Sequence, residues 1–135
     1  MPLAKQQQPL PKVKSSHLQT GSHGEAIACT FLTQKGYQII ERNYRSRFGE
    51  IDIIAKRPDG AVSFIEVKSR VGAGHGKPYE AVTFYKKKRL YKTIQFYMLH
   101  NKISESTLAF EIVSIEFDLN RNGVSILHFD DVPIT

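Results

Sequence analysis

Two short apolar runs carry acids at their centres: Gly49-Glu50-Ile51-Asp52-Ile53-Ile54-Ala55 and Phe64-Ile65-Glu66-Val67-Lys68. β-Branched residues dominate both, which predicts strands. A carboxylate buried in such a strand without a partner is costly, so these acids call for a compensating positive charge. A divalent cation supplies it through oxygen ligands. With a lysine alongside, Asp52, Glu66 and Lys68 form a set suited to metal-assisted cleavage of a phosphodiester.

The turn between the runs sets which residues meet. In Lys56-Arg57-Pro58-Asp59-Gly60, Pro58 suits the first position of a type I turn and Gly60 the left-handed position after it. That predicts a three-residue loop, Pro58 to Gly60, with Arg57 facing Ala61. Counting back puts Asp52 opposite Glu66 and Glu50 opposite Lys68, all on one face. Opposed Cβ atoms lie roughly 4.5–5.5 Å apart, and two carboxylates that close repel unless a cation lies between them. A slip of one residue would separate the two acids. The competing reading is an ordinary amphipathic hairpin with a solvated charged face, where Glu50–Lys68 is a surface ion pair of little worth. The hairpin alone does not decide between them.

The other elements must position this pair. A first helix is expected from about Ser22 to Lys35, stopped by Gly36 as the residue after its cap. Ala28, Cys29, Phe31 and Leu32 form its apolar face. Ser22 and Glu25 have capping-box spacing. Glu25 lies on or beside the apolar face, so it is read as a capping acid or as an acid aimed at a site, and spacing alone favours the cap. Tyr37 to Tyr44 reads as a strand, with Ile51, Ile53 and Ala55 sharing one face of the next. Arg42, Arg45 and Arg47 precede the acidic strand and are either solvated or held for a phosphate. Ser69 to Pro78, with three glycines and His75, reads as a flexible loop at the mouth of the site. A second helix is expected from Thr83 to His100, with Leu90, Ile94, Tyr97 and Met98 as its buried stripe. Lys86-Lys87-Lys88-Arg89 crowds its first turns, where cations oppose the helix dipole. A phosphate backbone at that end would resolve the conflict; a solvated charge run is the plainer reading. Leu108–Phe117 and Val124–Phe129 complete the strands, joined by an Asn122-Gly123 turn signal.

Composition bounds the partners. The 135 residues carry a net charge of +6 and a single cysteine, Cys29. The positive balance favours a polyanion, nucleic acid before an anionic membrane. One cysteine permits no internal disulfide and no Cys/His metal cluster, which fits a reducing, cytoplasmic setting. No apolar run approaches the roughly 20 residues that span a bilayer, so no membrane role is expected. Residues 1 to about 20, rich in Gln, Pro and Lys, bury too little to order themselves and are expected to form a disordered basic tail ahead of one domain, 21–135.

The expected order, helix, three strands, helix, two strands, together with Glu25, Gly49-Glu50-Ile51-Asp52 and Glu66-Val67-Lys68, resembles the PD-(D/E)xK nuclease superfamily. More closely, the chain resembles the YraN family of bacterial proteins. Matching stretches are Gly24-Glu25 with Ala28, Gly36-Tyr37, Arg42-Asn43, Gly49 to Ala55, Phe64 to Arg70, and Glu80 to Thr83 with Lys86 and Arg89-Leu90. The resemblance implies an α/β, restriction-endonuclease-like mixed sheet flanked by helices. It implies Asp52 and Glu66 as acids for Mg²⁺ or Mn²⁺, with the Val67 carbonyl as a further ligand. Lys68 resembles the lysine that positions or activates the attacking water, and Glu25 the helical acid of archaeal Holliday-junction resolvases. Ile51 stands where the nominal motif has proline, a change that leaves the acids intact. Arg70, Lys86, Lys87 and Lys88 are expected to hold flanking phosphates without reading sequence. The implied substrate is nucleic acid, DNA by preference, and resolvases of this frame work as dimers, which makes a homodimer an expectation. The alternatives are a nucleic-acid-binding module of the same fold with little activity and a small protein-interaction adaptor.

Overall fold

The computed structural model describes residues 2–9, 20–71, 84–104, 107–118 and 123–134. Its elements are β1 (Pro2–Pro9), α1 (Thr20–Gln34), β2 (Gln38–Ser46), β3 (Gly49–Lys56), β4 (Val62–Val71), α2 (Phe84–His100), β5 (Leu108–Asp118) and β6 (Gly123–Phe129). From α1 onward the order is α-β-β-β-α-β-β, the α/β restriction-endonuclease-like arrangement expected. The sheet runs β1-β6-β5-β4-β3-β2. It is mixed: β4 and β5 are parallel, while β2–β3, β3–β4, β5–β6 and β1–β6 are antiparallel. A parallel pair needs a long crossover, and α2 lies on the one between β4 and β5.

The strand β1 corrects the expectation of a disordered tail for residues 2–9; residues 10–19 lie outside the described residues. Its register pairs Gln6 with Ile126 and Gln8 with Val124. Composition could not show this, because an edge strand pairs through backbone N–H and C=O groups, which β6 would otherwise leave open.

Each helix covers one face of the sheet. Strand alternation sends Ile53, Ala55, Ile65, Val113 and Ile115 into a core under α1, closed by Ile27, Ala28, Phe31 and Leu32. Ile54, Phe64, Phe110 and Ile112 go into a second core under α2, closed by Leu90, Ile94, Tyr97 and Met98. The stripe expected on α2 is therefore the buried one. On α1, Ile27 is buried where Cys29 is only half-buried. Ile51 packs with the α2-side core rather than with Ile53 and Ala55, because β3 has left its pairing with β4 by that point.

Chain ends and turns follow local chemistry. Gly36, at φ 91°, stops α1: its N–H donates to the Thr33 carbonyl and the Tyr37 N–H to the Leu32 carbonyl, both 3.0 Å, a Schellman ending. The helix begins at Thr20, two residues before Ser22, so the expected Ser22–Glu25 capping box does not mark its start. Thr83, the expected cap of α2, lies outside the described residues, as do 72–82; strand β4 continues to Val71, past the predicted start of the glycine loop at Ser69.

A buried polar cluster ties the far end of the sheet together. Glu111, fully buried, accepts hydrogen bonds from the Tyr37 hydroxyl at 2.9 and 3.1 Å and pairs with His128 Nε2. Lys35 Nζ donates to His128 Nδ1 at 2.8 Å, which leaves Nε2–H to donate to Glu111. The Arg57 guanidinium stands 3.7 Å from Glu111. Burial, then the Glu111 charge, raises the Tyr37 hydroxyl well above its ordinary pKa, so it stays a donor.

Candidate active site

The hairpin register is the one the turn predicts. The Arg57 N–H donates to the Ala61 carbonyl at 2.8 Å and the Gly60 N–H to the Arg57 carbonyl at 2.9 Å, with Gly60 at φ 94°. Lys56 pairs Val62, and the ladder counts back to Ile53–Ile65. The next positions are Asp52 and Glu66, and there the strands part. The Val67 N–H, freed from the ladder, donates 2.8 Å to Asp52 Oδ2, while β4 continues along β5 through Lys68–Ser114 and Arg70–Glu116. The parting opens space between the strands at the two acids.

Asp52 and Glu66 both line a cleft beneath α2. The Glu66 carboxyl stands near enough for its charge to act on Asp52. Burial first, then the Glu66 charge, pushes the Asp52 pKa from 3.8 up to about 7, against the pull of the Val67 N–H. The charge of Glu25, on α1, pushes in the same direction and is the smallest of these influences.

The cations come from α2 and β4. Lys86 Nζ lies 3.5 Å from Glu66 Oε1. Burial lowers the Lys68 pKa, helped by the Lys86 ammonium nearby and opposed by the charges of Glu66 and Asp52. Lys68 is thus a lysine beside two acids and a second lysine, as its place two residues after Glu66 suggests. Asp52, Glu66, Lys86 and Arg89 line one cleft of about 270 Å³ with Gly49, Glu50, Leu90 and Thr93. Arg89 belongs with Lys86 because i, i+3 positions share a helix face, a signal present in the sequence. Lys87 and Lys88 do not line this cleft.

One expected pairing changes, and two arginines have partners within the chain. Glu50 pairs with Arg45 at 3.2 Å on β2, not with Lys68, because β3 and β4 are no longer paired at that level. Arg70 Nη2 is held 2.7 Å from Glu116 across the parallel β4–β5 pair, which engages the guanidinium expected to grip a phosphate. Arg47 lies over the Phe48 ring, 5.0 Å from its centroid.

These features define a three-layered α/β/α domain with a paired-carboxylate cleft under a basic helix. The chain belongs to the family described as Uncharacterised protein family UPF0102, which it matches over residues 24–115. It is 43% identical over 114 residues to a UPF0102 protein of Clostridium tetani, covering 84% of this chain and 93% of that one. It is 44% identical over 95 residues to one of Persephonella marina, covering 70% and 81%. A solved structure, Pyrococcus furiosus SfsA in complex with Ca²⁺, aligns at 14% identity and a TM-score of 0.38, with the match covering 84% of this chain and 62% of that one; so distant a match carries no argument. Among the described residues no helix is long and apolar enough to cross a membrane.

Proposed function

We propose that this protein is a metal-dependent endonuclease that hydrolyses phosphodiester bonds of DNA, with a PD-(D/E)xK-type set formed by Asp52, Glu66 and Lys68. The carrying observation is the Asp52–Glu66 pair, two largely buried carboxyls lining one basic cleft, where burial and the Glu66 charge raise the Asp52 pKa. A carboxyl raised to about 7 by burial and a neighbouring acid fits a divalent cation, whose charge would favour both groups in the ionised form. Among the described residues no group of three His, Cys, Asp or Glu side chains could hold a metal ion. The chain would thus offer Asp52 and Glu66, with the Val67 carbonyl as the backbone ligand, and Glu25 would act on the pair through its charge.

Mg²⁺ or Mn²⁺ there would lower the pKa of an attacking water and neutralise charge developing on the scissile phosphate. The chain's residues do the rest. Lys68 directs positive charge at the reacting phosphate, where a preorganised cation counts most. Lys86 and Arg89 hold flanking phosphates from the α2 side of the cleft. The lone Cys29 is in keeping with a reducing, cytoplasmic place of work.

A second reading is favoured by one contact. Lys86 already supplies a positive charge to Glu66 at 3.5 Å, so a binding module of this fold could keep the pair without a cation. The readings separate in a cleavage assay on duplex, branched and single-stranded DNA. The endonuclease reading expects nicking in Mg²⁺ or Mn²⁺ that Asp52→Ala and Lys68→Ala abolish while salt-sensitive binding persists. No cleavage of any of these substrates in either metal would leave the binding module.

A further inference from the structure

Beside the cleft lies a surface that the hydrolytic reading does not use. On α2, Lys92, Gln95, Phe96 and Leu99 follow i, i+3, i+4, i+7 spacing, one helix face, and it is the face turned away from the buried stripe of Leu90, Ile94, Tyr97 and Met98. Leu99 is 80% exposed. Phe96 stacks at a tilt on His100, 4.4 Å between centroids, and meets Phe48 edge-on at 6.0 Å. Phe48, Lys92, Gln95, Phe96 and Leu99 line a shallow groove of about 320 Å³.

The groove adjoins the cleft through two pairs of chain neighbours. Phe48 precedes Gly49, and Lys92 precedes Thr93; Gly49 and Thr93 line the cleft. These two also touch closely, since a Cβ on Gly49 would lie 3.3 Å from Thr93 Oγ1. A strand leaving the cleft past Gly49 and Thr93 arrives on Phe48 and Phe96. Among the described residues no acid lines the groove, while Lys92 forms part of it and Arg47 covers one side of Phe48.

Rings beside cations are the chemistry of single-stranded nucleic acid: bases stack on aromatic faces, and Lys and Arg track the phosphates. An apolar protein partner would call for a groove without Lys92 and Arg47 at its rim, and duplex DNA offers no base face to stack. We infer that the groove of Phe48, Phe96 and Leu99 is a stacking shelf for unpaired nucleotides, so that substrates carrying a single-stranded segment next to the scissile bond are preferred. This rests on the nucleic-acid part of the proposed function.

The test is metal-free binding, measured in EDTA by the fluorescence of 2-aminopurine placed in a short single-stranded oligodeoxynucleotide and in the same sequence as duplex. The single strand is expected to bind more tightly than the duplex and to quench the probe. Phe96→Ala should weaken single-strand binding by about tenfold, one stacked base, and leave duplex binding unchanged. Leu99→Glu, at an exposed position that the fold does not need, should do the same with an unaltered melting temperature. Equal loss on both substrates, or single-strand binding untouched by both variants, overturns the shelf. So does a wild-type dimer that Leu99→Glu converts to monomer, since a second copy would then be the occupant. Because no metal is present, quenching without any later cleavage would sink the endonuclease and keep the shelf; cleavage without quenching would do the reverse.

Discussion

Asp52→Asn should make the metal-free protein more stable, and only above acidic pH. A carboxyl raised from 3.8 to about 7 binds its proton more tightly in the native chain than in the unfolded one. Below about pH 4 both states hold the proton and the residue costs nothing. From there to about pH 7 the unfolded chain releases it while the native chain keeps it, so stability falls as pH rises. Above pH 7 the full penalty stands: about three powers of ten in affinity, or up to about 4 kcal/mol. Asn keeps an acceptor for the Val67 N–H and removes the repulsion with Glu66. Urea unfolding in EDTA, followed by circular dichroism because the chain has no tryptophan, should show a gain near zero at about pH 4 that approaches that ceiling at about pH 8. The midpoint belongs to the Asp52–Glu66 pair rather than to one residue. Adding Mg²⁺ at about pH 8 should then stabilise the wild type and not the variant, since ligand binding to the native state adds stability by mass action. An equal effect of Asp52→Asn at both pH values would refute the raised Asp52 pKa.

Other consequences follow from single contacts. Glu111→Ala strips the partner from Tyr37, His128 and Arg57 and should cost about 3–5 kcal/mol in urea unfolding, the range for breaking a buried pair. Gly24→Ala puts a Cβ 1.7 Å from Ser69 Oγ and 3.0 Å from Ser69 Cβ. It should destabilise by about 1–3 kcal/mol, with the double variant Gly24→Ala/Ser69→Ala recovering part of the loss on thermal melting. Lys86→Ala and Arg89→Ala should each weaken DNA binding on every sequence and flatten the dependence of log affinity on log salt by about one, whereas Lys88→Ala, exposed and off the cleft, should change neither much.

The hairpin was legible because its turn carries the information. Pro58, Asp59 and Gly60 fix the loop, the loop fixes the register, and the register brings Asp52 to Glu66. What failed was the assumption that pairing continues to the ends of both strands. β4 leaves β3 after Ile65 to follow β5, a choice made by contacts far away in sequence, so Glu50 meets Arg45 instead of Lys68. Arg70 went to Glu116 for the same reason. The helix stripe of α2 was readable from its period; the start of α1 was not, because Ser22 and Glu25 mimic a cap inside a helix that begins earlier. β1 had no apolar pattern to read, since edge pairing draws on the backbone. Glu111 was missed although the signal that exposed Asp52 was there: an acid in an apolar strand, Ala109-Phe110-Glu111-Ile112-Val113. That argument finds buried carboxylates, and only the tertiary partners, a second acid for Asp52 or His128 and Tyr37 for Glu111, separate a site from a structural anchor.

The account rests on Asp52 and Glu66 standing together for one divalent cation. A Mn²⁺ titration followed by electron paramagnetic resonance at about pH 8 tests this without any substrate. One bound Mn²⁺ per chain, displaced by Mg²⁺ and by acidification below about pH 6, and lost in both Asp52→Ala and Glu66→Gln, is the result predicted. Mn²⁺ that does not bind, or that binds equally well to both variants, would contradict it.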